Sequence, residues 1–359
     1  MRRRLLIGLG ALALCVLTVV VVFRQSGDGP LYQGKTIHGW AAQLLAPGPE
    51  VREEAAVVLR GLGTNAVPGL IRLLESRDPL WRTQLWRWGM RLPLRFRRGI
   101  LLQSRLPQEA LNRQEAAMAL AVIGPGAKAA VPTLGRWLLS KDPNNMWYFA
   151  DALGAIGKDS LPELTNALGS SDARTRAAAI FGLRKLGPAA EPAVLPLLQR
   201  VTDSDADVRT RAHDALVEMG PPAVPALVQA VEHEKGEVRR GAARALMHPG
   251  VSRRLVEPAL LGMLHDDEPA SRRQAVATLA AVRVREEPAI LAIAAALKDP
   301  VPEVRVAAAN ALGEVSGKAQ PAVPALMEAL KDDSPEVRSS AARTLGLIGA
   351  PAKAAQPES

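Results

Sequence analysis

The sequence predicts an all-α protein, an α-solenoid of about nine helix pairs preceded by one N-terminal transmembrane helix. Three observations predict it. A ten-residue phrase recurs along the chain, most clearly as Val337-Arg338-Ser339-Ser340-Ala341-Ala342-Arg343-Thr344-Leu345-Gly346. One uncharged run of nineteen residues, Leu5 to Phe23, stands at the amino terminus. The composition, 48% hydrophobic and 23% charged over 359 residues, is that of a folded chain and excludes wholesale disorder. Only 3% of residues are aromatic, so the core must be built from Ala, Leu and Val.

The amino-terminal run comes first. As a helix it covers about 28 Å, close to the hydrocarbon thickness of a bilayer. Arg2, Arg3 and Arg4 hold its leading end in the cytoplasm, which sends the rest of the chain to the far side. No later window reads as comparably apolar, so this is the one expected span. A cleaved signal peptide is the competing reading, but Val21-Val22-Phe23-Arg24-Gln25 lacks the small residues of a cleavage site. The expected organisation is a basic end at 1–4, an anchor at 5–23, and a linker and lead-in segment at 24–45. A repeat body follows over 46–359, interrupted at 80–107.

The repeat body follows from self-similarity. The second position of the phrase falls on Arg52, Arg113, Met146, Arg176, Arg209, Arg239, Arg272, Arg305 and Arg338. After a first gap of 61, the steps are 33, 30, 33, 30, 33, 33 and 33. Apolar and small residues at i, i+3, i+4 and i+7 mark a first helix with one buried face. A Gly-containing turn follows, as in Leu62-Gly63-Thr64-Asn65. A proline then stands sixteen or nineteen residues after the reference position, at Pro68, Pro132, Pro162, Pro225, Pro258, Pro288 and Pro324. In the first turn of a second helix a proline loses no hydrogen bond, because that amide has no helical partner. The tail from Ala350 reads as frayed, and the last unit as lacking a complete second helix.

Period, helix pair and phrase together resemble HEAT repeats, in particular the short HEAT-like type of phycobilisome lyases. The resemblance covers residues of about 46 to 357 and implies a solenoid whose units bury their apolar stripes against one another. The lead-in Tyr32-Gln33-Gly34-Lys35-Thr36-Ile37-His38-Gly39-Trp40 is similar to the start of exported, membrane-anchored bacterial HEAT-repeat proteins of unassigned function.

Arginine in the first turn of a helix is disfavoured by the helix dipole, so its recurrence needs a partner. Acids stand two residues earlier at Glu50, Asp207, Glu237, Glu303 and Glu336, and five or six earlier at Asp266, Asp299 and Asp332. Such offset acids are placed to pair with arginines of adjacent units. The expectation is a structural ladder through Arg52, Arg113, Arg176, Arg209, Arg239, Arg272, Arg305 and Arg338.

The 61-residue gap holds an insertion, Leu80 to Pro107, with seven arginines and no acid or lysine, which supplies most of the +9 net charge. At 100° per residue Trp81, Leu85, Trp88 and Leu92 share one helical face. Three readings stand: a helix packed on the solenoid, a helix on an anionic membrane surface, or a basic face for a protein or polyanion. Aromatic residues and arginines are also favoured at protein contacts. The candidate partner or membrane contacts are therefore Trp81, Arg82, Trp86, Arg87, Trp88, Arg91, Arg95, Arg97, Arg98, Trp137, Trp147 and Tyr148.

Motifs for chemistry are few. Gly29-Pro30-Leu31-Tyr32-Gln33-Gly34-Lys35-Thr36 fits a phosphate-loop pattern, but that chemistry needs a strand, a following helix and a magnesium-binding acid. Cys15 is the one cysteine, which excludes an intramolecular disulfide and a cysteine-based metal site. His38, His213, His233, His248 and His265 show no metal-ligand spacing. The run His265-Asp266-Asp267-Glu268 carries cation-binding side chains but also suits a turn between units. No cofactor, metal or catalytic residue is expected. The function expected is a non-catalytic scaffold, tethered by residues 5–23, that binds a protein on its solenoid surface outside the cytoplasm. An anionic lipid or polyanion binder working through 80–107 is the alternative. An enzyme of the lyase type, which the resemblance also admits, ranks third, and nucleic acid is a poor partner in that compartment.

Overall fold

The computed structural model describes residues 30–76, 108–140, 145–247 and 251–354, helical and without strands apart from one isolated bridge between Tyr32 and Lys35. The expected anchor at 5–23 and the insertion at 80–107 lie outside the described residues. The backbone forms two compact units that part between Ser160 and Leu161.

The first unit holds α1 (Ile37–Gln43), α2 (Pro49–Leu62), α3 (Val67–Leu74), α4 (Gln108–Ile123), α5 (Val131–Leu139) and α6 (Met146–Ile156). Thr36 starts α1 by accepting the Gly39 amide on its hydroxyl at 3.1 Å. Trp40 anchors α1: its ring is buried, and its indole N–H donates to the Tyr32 carbonyl at 2.8 Å. Helices α2, α3, α4, α5 and α6 then close a core of Leu59, Leu70, Leu74, Leu120, Leu134, Leu138 and Phe149, all fully buried.

The second unit opens with α7 (Leu161–Ala167). It continues through α8 (Ala173–Leu186), α9 (Val194–Arg200), α10 (Ala206–Met219), α11 (Val224–His233), α12 (Gly236–Ala245) and α13 (Arg253–Met263). It ends with α14 (Pro269–Ala281), α15 (Glu287–Ala295), α16 (Pro302–Val315), α17 (Val323–Ala329) and α18 (Pro335–Ala354). First helices pack on first helices, α8 on α10 and α14 on α16 on α18, and second helices on second, from α9 through α11, α13 and α15 to α17. Asp172 and Asp205 cap α8 and α10 by accepting amides of the first turn. Each first helix must then reverse direction. Gly220, at φ +64°, does so after α10 in a region a side chain rarely adopts. Small residues set the close approach of neighbours. A Cβ on Gly241 would stand 2.8 Å from the Val201 side chain, which explains glycine in the buried face of α12. Buried threonines tie adjacent first helices: Thr278 donates to the Ala243 carbonyl and Thr344 to that of Ala309, at 3.2 and 2.8 Å.

Three expectations need correction. Pro258 does not start its helix: α13 begins at Arg253, and Pro258 lies inside it. Both Pro258 and Arg254, whose carbonyl loses its helical donor, are solvent-exposed, so water satisfies that oxygen at low cost. The tail is helical further than it reads, because α18 runs through Pro351 to Ala354. Residues Glu109–Leu139 are also long and apolar enough to span a membrane by length and composition, although half of that window is buried inside the protein. Burial of one face accounts for the apolar content there.

Candidate functional site

The recurring arginines are placed by the start of each first helix. In the second unit, Arg272 turns one edge of its guanidinium back on its own loop, Nη1 donating to the carbonyls of Asp266 and Asp267 at 2.8 and 3.1 Å. Its other edge reaches forward, Nε and Nη2 donating to the two carboxylate oxygens of Asp299 at 2.6 and 2.9 Å. Arg305 repeats the arrangement, with Nη1 on the carbonyls of Asp299 and Pro300 and both other nitrogens on Asp332 at 2.8 Å. Each aspartate thus serves two arginines, one through its carboxylate and the next through its carbonyl. It also turns its own loop by accepting an amide two residues on, from Val301 or Ser334. Arg176 and Asp203 form the most buried pair, at 2.8 and 2.5 Å with side chains 8% and 2% exposed, and Arg200 adds a second cation at 3.5 Å. Arg239 also reaches Asp266, but through Nη1 alone, while its Nη2 donates to the Glu232 carbonyl at 3.3 Å.

Charge states follow from this geometry. Burial works against ionised Asp203 and Asp299, but bonds from Arg176 and Arg272 and from loop amides outweigh it and hold both carboxyls below the ordinary range. Asp332 is lowered first by the bond from Arg305. These partners stand twenty-seven residues after the arginine, six before the next one. Asp203 occupies that position and was not singled out from the sequence, although the spacing of Asp266, Asp299 and Asp332 points to it. The acids two residues before the arginines do other work. Asp207 pairs with Arg211 and Glu237 with Arg240 within their own helices.

Two arginines of the second unit and two of the first differ. Arg209 and Arg338 make the carbonyl bonds, to Asp203 and Ser204 and to Asp332 and Asp333, with no carboxylate on the other edge among the described residues. In the first unit Arg52 donates to the carbonyls of Ala46 and Pro47. Arg113 instead lies over the Trp137 ring at 4.4 Å and within 3.5 Å of Glu109. Trp137 also packs against Phe149, with ring centroids 6.3 Å apart, so this candidate contact residue is engaged inside the unit. Trp147 and Tyr148 are half-buried on α6. Trp81, Arg82, Trp86, Arg87, Trp88, Arg91, Arg95, Arg97 and Arg98 lie outside the described residues.

The remaining motifs resolve into local structure. Lys35 of the phosphate-loop pattern sits over the Trp40 ring at 4.2 Å, and Thr36 is the α1 cap. His38 pairs with buried Glu115 at 3.2 Å. In the acidic run, Asp266 and Glu268 hold Arg239 and Arg240, while the Asp267 carbonyl takes Arg272. No three His, Cys, Asp or Glu side chains among the described residues stand together as a metal site would require.

A surface feature missed from the sequence runs along the second helices. Three residues after Pro192, Pro225, Pro258, Pro288 and Pro324 stand Leu195, Val228, Leu261, Leu291 and Met327, whereas Pro162 is followed at that spacing by Thr165. Each directly follows a buried residue, Val194, Leu227, Leu260, Ile290 or Leu326, and so lies about 100° around its helix from that row; Leu195, Leu291 and Met327 are 47%, 46% and 56% exposed, and Val228 and Leu261 are half-buried. Helices α9, α11, α13, α15 and α17 are packed in succession, so the five positions recur at one place on neighbouring helices, an apolar row exposed at Leu195, Leu291 and Met327. The proline spacing was the signal that could have found it.

Comparison with known proteins matches this architecture. The family model for HEAT repeats matches residues 101–184, 194–280, 256–330 and 290–357. No curated protein matches the chain. Among solved structures, an engineered protein is 22% identical, with a TM-score of 0.36, 87% of this chain and 88% of that one being covered. Human deoxyhypusine hydroxylase is 21% identical at a TM-score of 0.32, over 81% of this chain and 98% of that one. Kap121p bound to Nup53p is 15% identical at a TM-score of 0.48, over 87% of this chain and 41% of that one.

Proposed function

The chain belongs to the HEAT-repeat family, and we propose that it is a membrane-tethered, non-catalytic scaffold whose repeat surface binds a protein partner outside the cytoplasm. The observation that carries this reading is the stripe Leu195, Val228, Leu261, Leu291 and Met327. With neighbouring helices roughly 8–10 Å apart, five such helices extend the stripe over about 40 Å. That length suits a protein segment presenting apolar side chains at intervals, and exceeds what a small substrate covers. The tether is residues 5–23, with Arg2, Arg3 and Arg4 on the cytoplasmic side. The arginine- and tryptophan-rich insertion at 80–107 is a second contact region of the same scaffold.

The test is site-specific photo-crosslinking of the full chain in native membranes, with a benzophenone side chain at Leu291. One dominant protein captured there, and lost when Met327 is changed to Asp, supports the scaffold. No captured protein overturns it. The alternative, an anionic lipid or polyanion bound by 80–107, rests on seven arginines with no acid. It predicts vesicle binding by a chain freed of residues 1–23, weakening steeply with salt.

A further inference from the structure

We propose that Arg209 is a carboxylate-recognition position, at which an aspartate or glutamate side chain of the protein partner docks in a rung the chain leaves open. The inference rests on the scaffold reading above and names the chemistry of one contact.

The chain supplies its own reference for this geometry. At Arg176, Arg272 and Arg305 the Nη1 edge is held by loop carbonyls, and the Nε/Nη2 edge grips both oxygens of an aspartate twenty-seven residues on. Arg209 has the first half of this arrangement, with Nη1 donating to the carbonyls of Asp203 and Ser204 at 2.7 and 3.1 Å. The second half is missing for a reason legible in the sequence. The step from Arg209 to Arg239 is 30 residues and not 33, and the position that should carry aspartate is Gly236, the first residue of α12. The loop there is three residues shorter, so no aspartate is brought forward.

The consequence is an exposed arginine whose guanidinium is held by two carbonyls, with no carboxylate on its Nε/Nη2 edge among the described residues. Where the rung is complete the arginine side chain is 8%, 12% or 13% exposed. Arg209 is exposed. Of the acids beside it in sequence, Asp205 caps α10 through the Asp207 and Val208 amides and Asp207 holds Arg211, and neither Glu232 nor Glu234 at the shortened loop bonds it. Planar, bidentate pairing is the strongest form of arginine–carboxylate recognition, and a pre-positioned fork loses little freedom on binding.

The test again uses the full chain in native membranes, with the benzophenone at Ser204, whose carbonyl touches the guanidinium. Capture at Leu291 is run in parallel to report on the scaffold itself. The proposal expects a crosslinked partner peptide containing Asp or Glu. Its yield should fall about tenfold in Arg209→Gln and clearly, though less, in Arg209→Lys, which keeps the charge but not the fork. Arg209→Glu combined with arginine at the partner's acid should restore capture. Circular dichroism of each variant confirms that it is folded. Unchanged Ser204 capture in Arg209→Gln, with Leu291 capture intact, overturns the Arg209 proposal and leaves the scaffold standing. No capture at either position overturns both.

Discussion

The two units solve one problem by different chemistry. In the unit that begins at Leu161, Arg176, Arg239, Arg272 and Arg305 at the starts of first helices are each paired with the aspartate of the following repeat, as in Arg272 with Asp299. In the unit that ends at Ser160, Arg113 has Ser140 twenty-seven residues on, and its guanidinium lies over Trp137 instead. Where the reference position is Met146, the side chain is buried in the apolar core. One slot of the repeat can therefore be filled by an ion pair, a cation–π contact or a hydrophobe. Step length and the residue six places before the next arginine decide which. The ion-pair solution links successive repeats through both side chain and backbone, which makes the second unit sensitive to charge in ways the first is not.

Acid is the widest way to break the comparison, because it acts on several rungs together. Asp203, Asp299 and Asp332 have folded pKa values below ordinary, so their contribution to stability is full above the unfolded value of about 3.9 and is lost as pH falls through the depressed folded values. The urea midpoint of the second unit, followed by hydrogen exchange, should therefore fall steeply below about pH 4. A variant with Asp299→Ala and Asp332→Ala should start lower and depend less on pH in that range. Equal slopes in the two proteins would show that these pairs do not carry the effect.

Next in size is the single buried rung. Asp203→Ala leaves Arg176 charged and nearly inaccessible, which should cost about 3–5 kcal/mol. Replacing both partners with Met should cost much less, since no charge is then stranded. Repeat arrays do not always unfold in one step, so exchange protection of α8 and α10 is the appropriate readout. In the first unit, Arg113→Met keeps the aliphatic stem over Trp137 and removes the cation, for an expected loss of about 1 kcal/mol in urea unfolding. A loss as large as that of Asp203→Ala would mean the two solutions are energetically equivalent.

The architecture was legible because a repeat states its rule many times. Nine occurrences of one phrase determine helix, turn and helix, and the glycine at the end of a first helix has the positive φ that such a turn demands. The pairing of the arginines was legible only in outline. Asp207 and Glu237, two residues before an arginine, are near it in sequence but pair within their own helices. Asp203, six residues before Arg209, meets Arg176 because the next repeat folds back alongside. That proximity is tertiary, and only the repeated spacing of Asp266, Asp299 and Asp332 points to it. Pro258 misled for the same kind of reason. A solvent-facing carbonyl tolerates a proline that a buried helix start would not need to accommodate. Trp137 looked like a contact residue from composition alone, whereas the position of Arg113 and Phe149 around it is visible only once α4, α5 and α6 are packed.

The smallest expected effect on stability sharpens the comparison most on the side of function. Leu291 and Met327 are about half exposed and take no part in the buried row of Ile290 and Leu326 beside them. Exposed positions away from caps and cores usually change stability by less than about 0.5 kcal/mol. A Leu291→Ser, Met327→Ser double variant should therefore keep the urea midpoint and exchange pattern of the second unit. Partner capture through a benzophenone placed at Leu261 should nonetheless fall, because two of five apolar contacts are removed from the stripe. The opposite result, a protein destabilised by several kcal/mol with capture unchanged, would reassign these side chains to the core. Folding and recognition would then not be separated between the two faces of the second helices. As the residues stand, Val194, Leu227, Leu260, Ile290 and Leu326 are buried between the repeats, and Leu195, Leu291 and Met327 beside them are exposed.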